Sequence, residues 1–275
     1  MAREERRRRQ RNVGVEKGRE ITSWKAKLAE EALAASATEA STSGGQFFSL
    51  KSGQLTWDDE KIKGNQIAVI ILDSIFETVY YQDDYNPDAT QGPTAFALGR
   101  DEKELRWHEN SHPDFAGELC SESEVCQWGS AERGRGKAAR ETRRLALIPA
   151  GKLDRDGELE ELIEDEKHYK TATVGFMRLP VTSVKEFSNY VRKLAGGMKL
   201  PPFAVVTRIY LEPDDKSQFK VHFETLEEVP EELLEVIMER REEVKGIIDF
   251  PYQPYDAEGS SKEKEETQKK RKRRY

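Results

Sequence analysis

Cysteine is nearly absent from this chain, which has two among 275 residues. Two thiols cannot build a disulfide framework, and a reducing compartment suits them better than an oxidising one. Long apolar runs are missing as well. Nothing approaches the roughly 18 consecutive apolar residues of a membrane span. No apolar signal segment follows the basic start. A soluble, intracellular protein with no membrane partner is expected. A nucleotide-phosphate loop of the G-x-x-x-x-G-K-[ST] kind is lacking too. In "GRGKAA" Ala138 stands where the hydroxyl should be, so ATP hydrolysis is not expected. No Ser-His-Asp or Cys-His arrangement is indicated by local context. Asp83, Asp84 and Asp88 could form a metal-dependent nuclease site, but such a cluster is more often a solvated turn. The expectation is a nonenzymatic protein.

Charge is abundant: 35% of residues are charged and the formal net charge is -7. Only 36% are hydrophobic, and the mean hydropathy is -0.81. Such values imply that part of the length is solvated tail. The charge is also uneven. Residues 3–12 are rich in Arg with some Glu, 153–166 and 224–243 are acidic, and the chain ends in "KKRKRRY". Net charge therefore says little about partners, and local clusters carry the information.

Residues 1–45 read as a basic arm, an Ala- and Glu-rich helix from Thr22 to Ala40, and the linker "STSGG". "FFSLKSGQLTW" reads as strand, turn, strand. "NQIAVIILDSIFETVYYQ" is the strongest strand signal, rich in β-branched and aromatic residues. "TAFALGR", "RRLALIPAG" (ending at Pro149) and "KTATVGFMRLPVTS" follow as strands. "SVKEFSNYVRKLAGG" reads as an amphipathic helix stopped by Gly196 and Gly197. The segment 201–229 reads as a hairpin about Pro213-Asp214-Asp215, and a helix begins at Pro230. Residues 101–141 contain no core strand, so they are a loop excursion or a small subdomain. The expected fold is mostly β with flanking helices (α+β): an OB-like antiparallel barrel over 46–250. Its termini are expected to be disordered, including a charged tail over 251–275.

The run "GSAERGRGKAARETRR" gathers Arg133, Arg135, Lys137, Arg140, Arg143 and Arg144. Its glycines let the backbone approach a phosphate chain, and its cations can neutralise phosphates without reading sequence. The alternative is an ordinary charged surface loop. Exposed rings would strengthen the nucleic-acid reading, because bases stack on aromatic faces. Among Phe47, Phe48, Trp57, Tyr80, Tyr81, Tyr85, Trp107 and Trp128, the two tryptophans of the polar excursion are the stronger stacking candidates. Tyr80 and Tyr85 are retained with them. The excursion also holds His108, His112, Cys120 and Cys126. Two imidazoles and two thiolates could hold a tetrahedral structural zinc; otherwise these are two unpaired cysteines and two surface histidines.

Several of these segments together resemble a group of bacteriophage single-stranded-DNA-binding proteins of OB-like fold. The Phe-Phe start, "ILDSIFETVYY", "YNPD" and the run from Gly129 to Leu147 carry the resemblance, which covers roughly residues 46–150. It implies a sequence-tolerant protein that coats displaced single strands in DNA replication, recombination or repair. Its setting would be the cytoplasm of the host cell, alongside replication or recombination proteins. In such relatives cysteines cluster ahead of the Gly-Ser-Ala loop and another follows its lysine. Here that last position is Ala139 and the two remaining cysteines are farther apart, so a metal site would be either degraded or completed by His108 or His112. The alternative is a protein-interaction factor of a replication or recombination complex without direct DNA binding.

Overall fold

A computed structural model describes residues 46–57, 60–82, 92–132, 134–215 and 217–255. The expectations for the arm, helix and linker of 1–45, for Arg133, Tyr85, Asp83, Asp84 and Asp88, and for the tail beyond 255 lie outside these residues.

The two strongest strand signals form the centre. Strand β4 (Gln66–Tyr80) runs antiparallel to β6 (Arg140–Leu153), with Ile70 opposite Ile148 and Ile71 opposite Leu147. Both strands carry near-continuous apolar runs, the pattern of a sheet buried on both faces. One face packs Ile70, Leu72, Ala146 and Ile148 against Leu233, Val236 and Ile237 of a helix over Glu231–Lys245. The other packs Val69, Ile71, Leu145 and Leu147 against Phe187, Tyr190 and Leu194. Of these, Phe187 and Tyr190 lie on a helix over Val181–Lys193. In chain order the helices are α1 (Glu166–Thr171), α2 (Val181–Lys193) and α3 (Glu231–Lys245). The molecule is therefore layered, with α1 and α3 on one side of the sheet and α2 on the other.

The remaining strands are β1 (Gln46–Ser49), β2 (Thr56–Trp57), β3 (Glu60–Lys61), β5 (Ala95–Gly99), β7 (Leu159–Leu162), β8 (Gly175–Arg178), β9 (Val205–Asp214) and β10 (Gln218–Glu228). The sheet order is β10-β9-β4-β6-β8-β1-β2-β3, with β5 also pairing β4 and β7 also pairing β6. All pairings are antiparallel except β1 with β8. The described sheet is open, so the expected barrel is corrected to a sheet with covered faces. A barrel buries one face of each strand, whereas β4 and β6 bury both.

Pro149 does not end β6. It lies between the stretch that pairs β8, up to Leu147, and the stretch that pairs β7, from Gly151. A register shift stands opposite it, between Ala68 and Val69. Its missing N–H is thus spared a ladder bond. In β8, Gly175 is required because a Cβ there would stand 1.9 Å from the Trp57 ring. Helix α2 ends in a wider turn over Leu194–Met198, and the left-handed residue after it is Lys199 (φ 58°), not one of the two expected glycines.

The bulge between Ile71 and Asp73 reverses the alternation of β4. Beyond it Ile75 lies in the same core as Ile70 and Leu72, which carries Glu77 to that side as well. Residues 248–255 are not free tail. Ile248 is buried and Phe250 packs on the α3 side of the sheet, while Tyr255 N–H donates to Asn110 O at 2.8 Å. No helix among the described residues is long and apolar enough to cross a membrane.

Candidate nucleic-acid interface

The excursion between β5 and β6 is a small folded unit, not a loop. Backbone bonds close it on itself and on β5: Cys120 N to Leu105 O (2.8 Å), Trp107 N to Glu118 O (2.9 Å), His108 N to Phe96 O (2.7 Å). Its own core is Leu105, Trp107, Cys120, Cys126 and Ala139, packed on Ala95 and Ala97 with Phe76, Tyr80 and Phe115 alongside.

Trp107 is therefore corrected from stacking platform to core. It is 1% exposed, edge-on to Phe115 at 5.7 Å, and no base can reach its face. Tyr80 is half-buried in the same cluster, 5.4 Å from Phe115. Trp128 is the opposite case, with 80% of its surface exposed. It follows the tight turn at Cys126, where the chain leaves the small core.

The basic run divides at the start of β6. Gly129 (φ 92°) and Gly134 (φ 89°) adopt left-handed backbone, which turns the loop back so that Gly129 N donates to Gly136 O at 2.9 Å. The Ser130 hydroxyl is drawn to the Gln127 and Val125 carbonyls and accepts from Ala138 N. This arrangement brings Lys137 back beside Trp128, its ammonium 5.8 Å from the ring. Lys137 also donates to Glu141 at 2.6 Å. Arg135 and Arg140 are exposed, and the Arg140 guanidinium lies 5.9 Å from the half-buried Tyr81 ring.

Arg143 and Arg144 are sheet residues, and alternation sends them to opposite faces. The half-buried Arg143 covers Phe76, its cross-strand partner, at 3.0 Å. Burial pulls its guanidinium below the ordinary arginine value. Arg144 is 1% exposed and is corrected from phosphate ligand to structural cation. Its Nη2 donates to Glu77 at 2.5 Å, and its Nη1 donates to the carbonyls of Ile248 (3.1 Å) and Phe250 (2.8 Å). Glu77 also accepts from Arg178 Nε (2.8 Å) and the Tyr252 hydroxyl (2.7 Å). Burial lowers the Arg144 pKa while the adjoining Glu77 carboxylate opposes that fall.

The expected zinc quartet does not assemble. His108 stacks on Phe96 at 4.8 Å and its Nδ1 accepts from Asn110 N. His112 packs edge-on to Tyr255 at 4.9 Å and its Nδ1 accepts from Asp114 N. Cys120 and Cys126 are instead buried together in the core of the small unit. Among the described residues no group of three or more metal-ligating side chains forms.

A cavity of about 280 Å³ lies between the small unit and the end of the sheet. Cys120, Cys126, Gln127, Trp128, Lys137 and Glu141 are among the residues that line it. Gln127 and Glu141 had no distinguishing signal in the sequence, since neither spacing nor composition sets them apart. Tyr81 was legible only as one aromatic among eight. The site thus offers one bare indole, three described cations on the loop and first strand turn, and a polar recess beneath them. It presents no nucleophile–base pair and no assembled metal centre among the described residues. Comparison with protein-family models, curated proteins and solved structures finds no match for this chain.

Proposed function

We propose that this protein binds single-stranded DNA, with little regard to sequence, through Trp128 and the cations Arg135, Lys137 and Arg140. The observation that carries the reading is the exposure of Trp128 (80%) with an ammonium beside it. The exposed face is open to a ligand, and a base stacked on such a face gains about 1–3 kcal/mol whatever its identity. The neighbouring cations supply attraction to phosphate that weakens as salt rises. No base-reading side-chain fork is needed for that mode, and no chemical step is assigned to it. The setting we propose is phage DNA replication, recombination or repair.

A second reading, a factor that acts by holding protein partners, is favoured by α3. There Met238 is 55% exposed on a helix whose solvent side is crowded with Glu. One experiment separates the two. Mobility-shift titration of the full chain with matched single- and double-stranded oligonucleotides, at two salt concentrations, gives salt-sensitive, single-strand-selective binding if the DNA reading holds. Absence of any shift in dilute buffer overturns it and leaves the partner reading.

A further inference from the structure

We infer that Cys120 and Cys126 form an oxidisable dithiol, a modification site that closes to a disulfide within the chain under peroxide. Each cysteine is the strongest single influence on the other's titration. Both are buried in the same small core and both line the cavity that reaches the surface at Trp128. The chain between them is a tight turn over Glu124–Cys126 preceded by a bond from Ser123 N to Cys120 O at 3.3 Å. No third ligating side chain joins them among the described residues.

The step balances with hydrogen peroxide as oxidant. Cys126, freed of its proton, attacks one peroxide oxygen and the O–O bond breaks. The departing hydroxide takes up a proton as water and leaves Cys126 as the sulfenic acid. Cys120 sulfur then attacks Cys126 sulfur, the S–O bond breaks, and the hydroxyl leaves with the Cys120 proton as a second water. Two electrons pass from the two thiols to peroxide, and an S–S bond of about 2.05 Å joins the two residues. Cys126 reacts first: the neighbouring Cys120 and, less strongly, Lys137 draw its thiol down against burial and Glu141, while Cys126 and burial hold Cys120 above the ordinary thiol range. The new bond closes two residues before Trp128 and fixes the turn that carries that ring.

The test uses the full reduced chain, treated with hydrogen peroxide, alkylated under denaturing conditions and mapped by mass. The expected product lacks two hydrogens, resists alkylation at both sites, contains a linked peptide joining 120 to 126, and reverts with a dithiol reductant. Alkylation of both cysteines after peroxide, or separate oxygen adducts with no linked peptide, overturns the inference. A trivalent phenylarsenical on the untreated chain gives a second reading without any substitution. It should bridge the sulfurs one to one and protect both; independent alkylation in its presence also overturns the inference. Neither readout depends on DNA. A chain that fails to bind oligonucleotide in either redox state removes the nucleic-acid reading and leaves the mass result standing.

Discussion

Two clusters in this molecule are made of the same parts. Glu77, Arg144, Arg178 and Tyr252 join a carboxylate, cations and a ring, and so do Glu141, Lys137 and Trp128. In the first, Glu77 is 0% exposed and Arg144 1%; both terminal nitrogens of Arg144 are engaged and the Tyr252 hydroxyl is taken. The Arg144 Nε has no partner but is buried, so Glu77 and Arg144 turn no exposed group toward a ligand. In the second the ring is bare and the ion pair is half in solvent. The difference teaches that residue type does not separate a structural cluster from a binding one. What separates them is whether the fold has buried the groups. The same contrast holds for the two tryptophans of the excursion, and for the basic run, where Arg135 and Arg140 are exposed while Arg143 and Arg144 are built into the sheet.

Breaking the buried cluster should have the largest effect. Glu77→Ala leaves a buried arginine without its counter-charge and should cost about 3–5 kcal/mol, seen as a lower denaturant midpoint. Pairing Glu77→Leu with Arg144→Met should recover most of that loss, because two apolar side chains avoid the desolvation penalty. A double variant no more stable than Glu77→Ala would mean that the cluster does more than pair charge. Next, Trp107→Ala should destabilise by about 3–5 kcal/mol through the cavity it leaves. Trp128→Ala should leave stability within about 0.5 kcal/mol yet weaken oligonucleotide binding by about 1–3 kcal/mol. Thermal melts and titrations on the same two proteins check that crossing. If both tryptophans moved stability alike, the division between core ring and platform ring would be wrong. The smallest effect belongs to salt. Arg135→Ala with Arg140→Ala should flatten the log affinity against log salt slope by roughly 1.4, near 0.7 for each phosphate contact.

Much of the sheet was legible. β4 and β6 announce themselves as β-branched apolar runs, α2 and α3 as amphipathic stretches with stop or start signals, and the β9–β10 turn as Pro213-Asp214-Asp215. The closure of the sheet was not legible, although "IAVIIL" and "LALIPA" already hinted at two covered faces. The β7–α1 segment reads as plain acidic chain because its few buried side chains, Tyr169 among them, are spaced too sparsely for a period. The strap 248–255 was hidden because its bonds run through backbone carbonyls and single rings. Of the site, residue types were visible but their exposure was not. Arg143 and Arg144 look alike in sequence, and only the register of β4 on β6 tells which is buried. The zinc expectation failed for the same reason: spacing brought four ligands near in sequence, and packing sent the histidines to aromatic neighbours.

The central claim is that Trp128 is a platform for unpaired bases. The most direct measurement is intrinsic tryptophan fluorescence of the full chain titrated with a thymidine oligomer in dilute buffer, beside the Trp128→Phe variant. The account predicts saturable quenching in the parent chain that salt reverses and that the variant largely loses. Quenching absent from the parent chain, or undiminished in the variant, would contradict it.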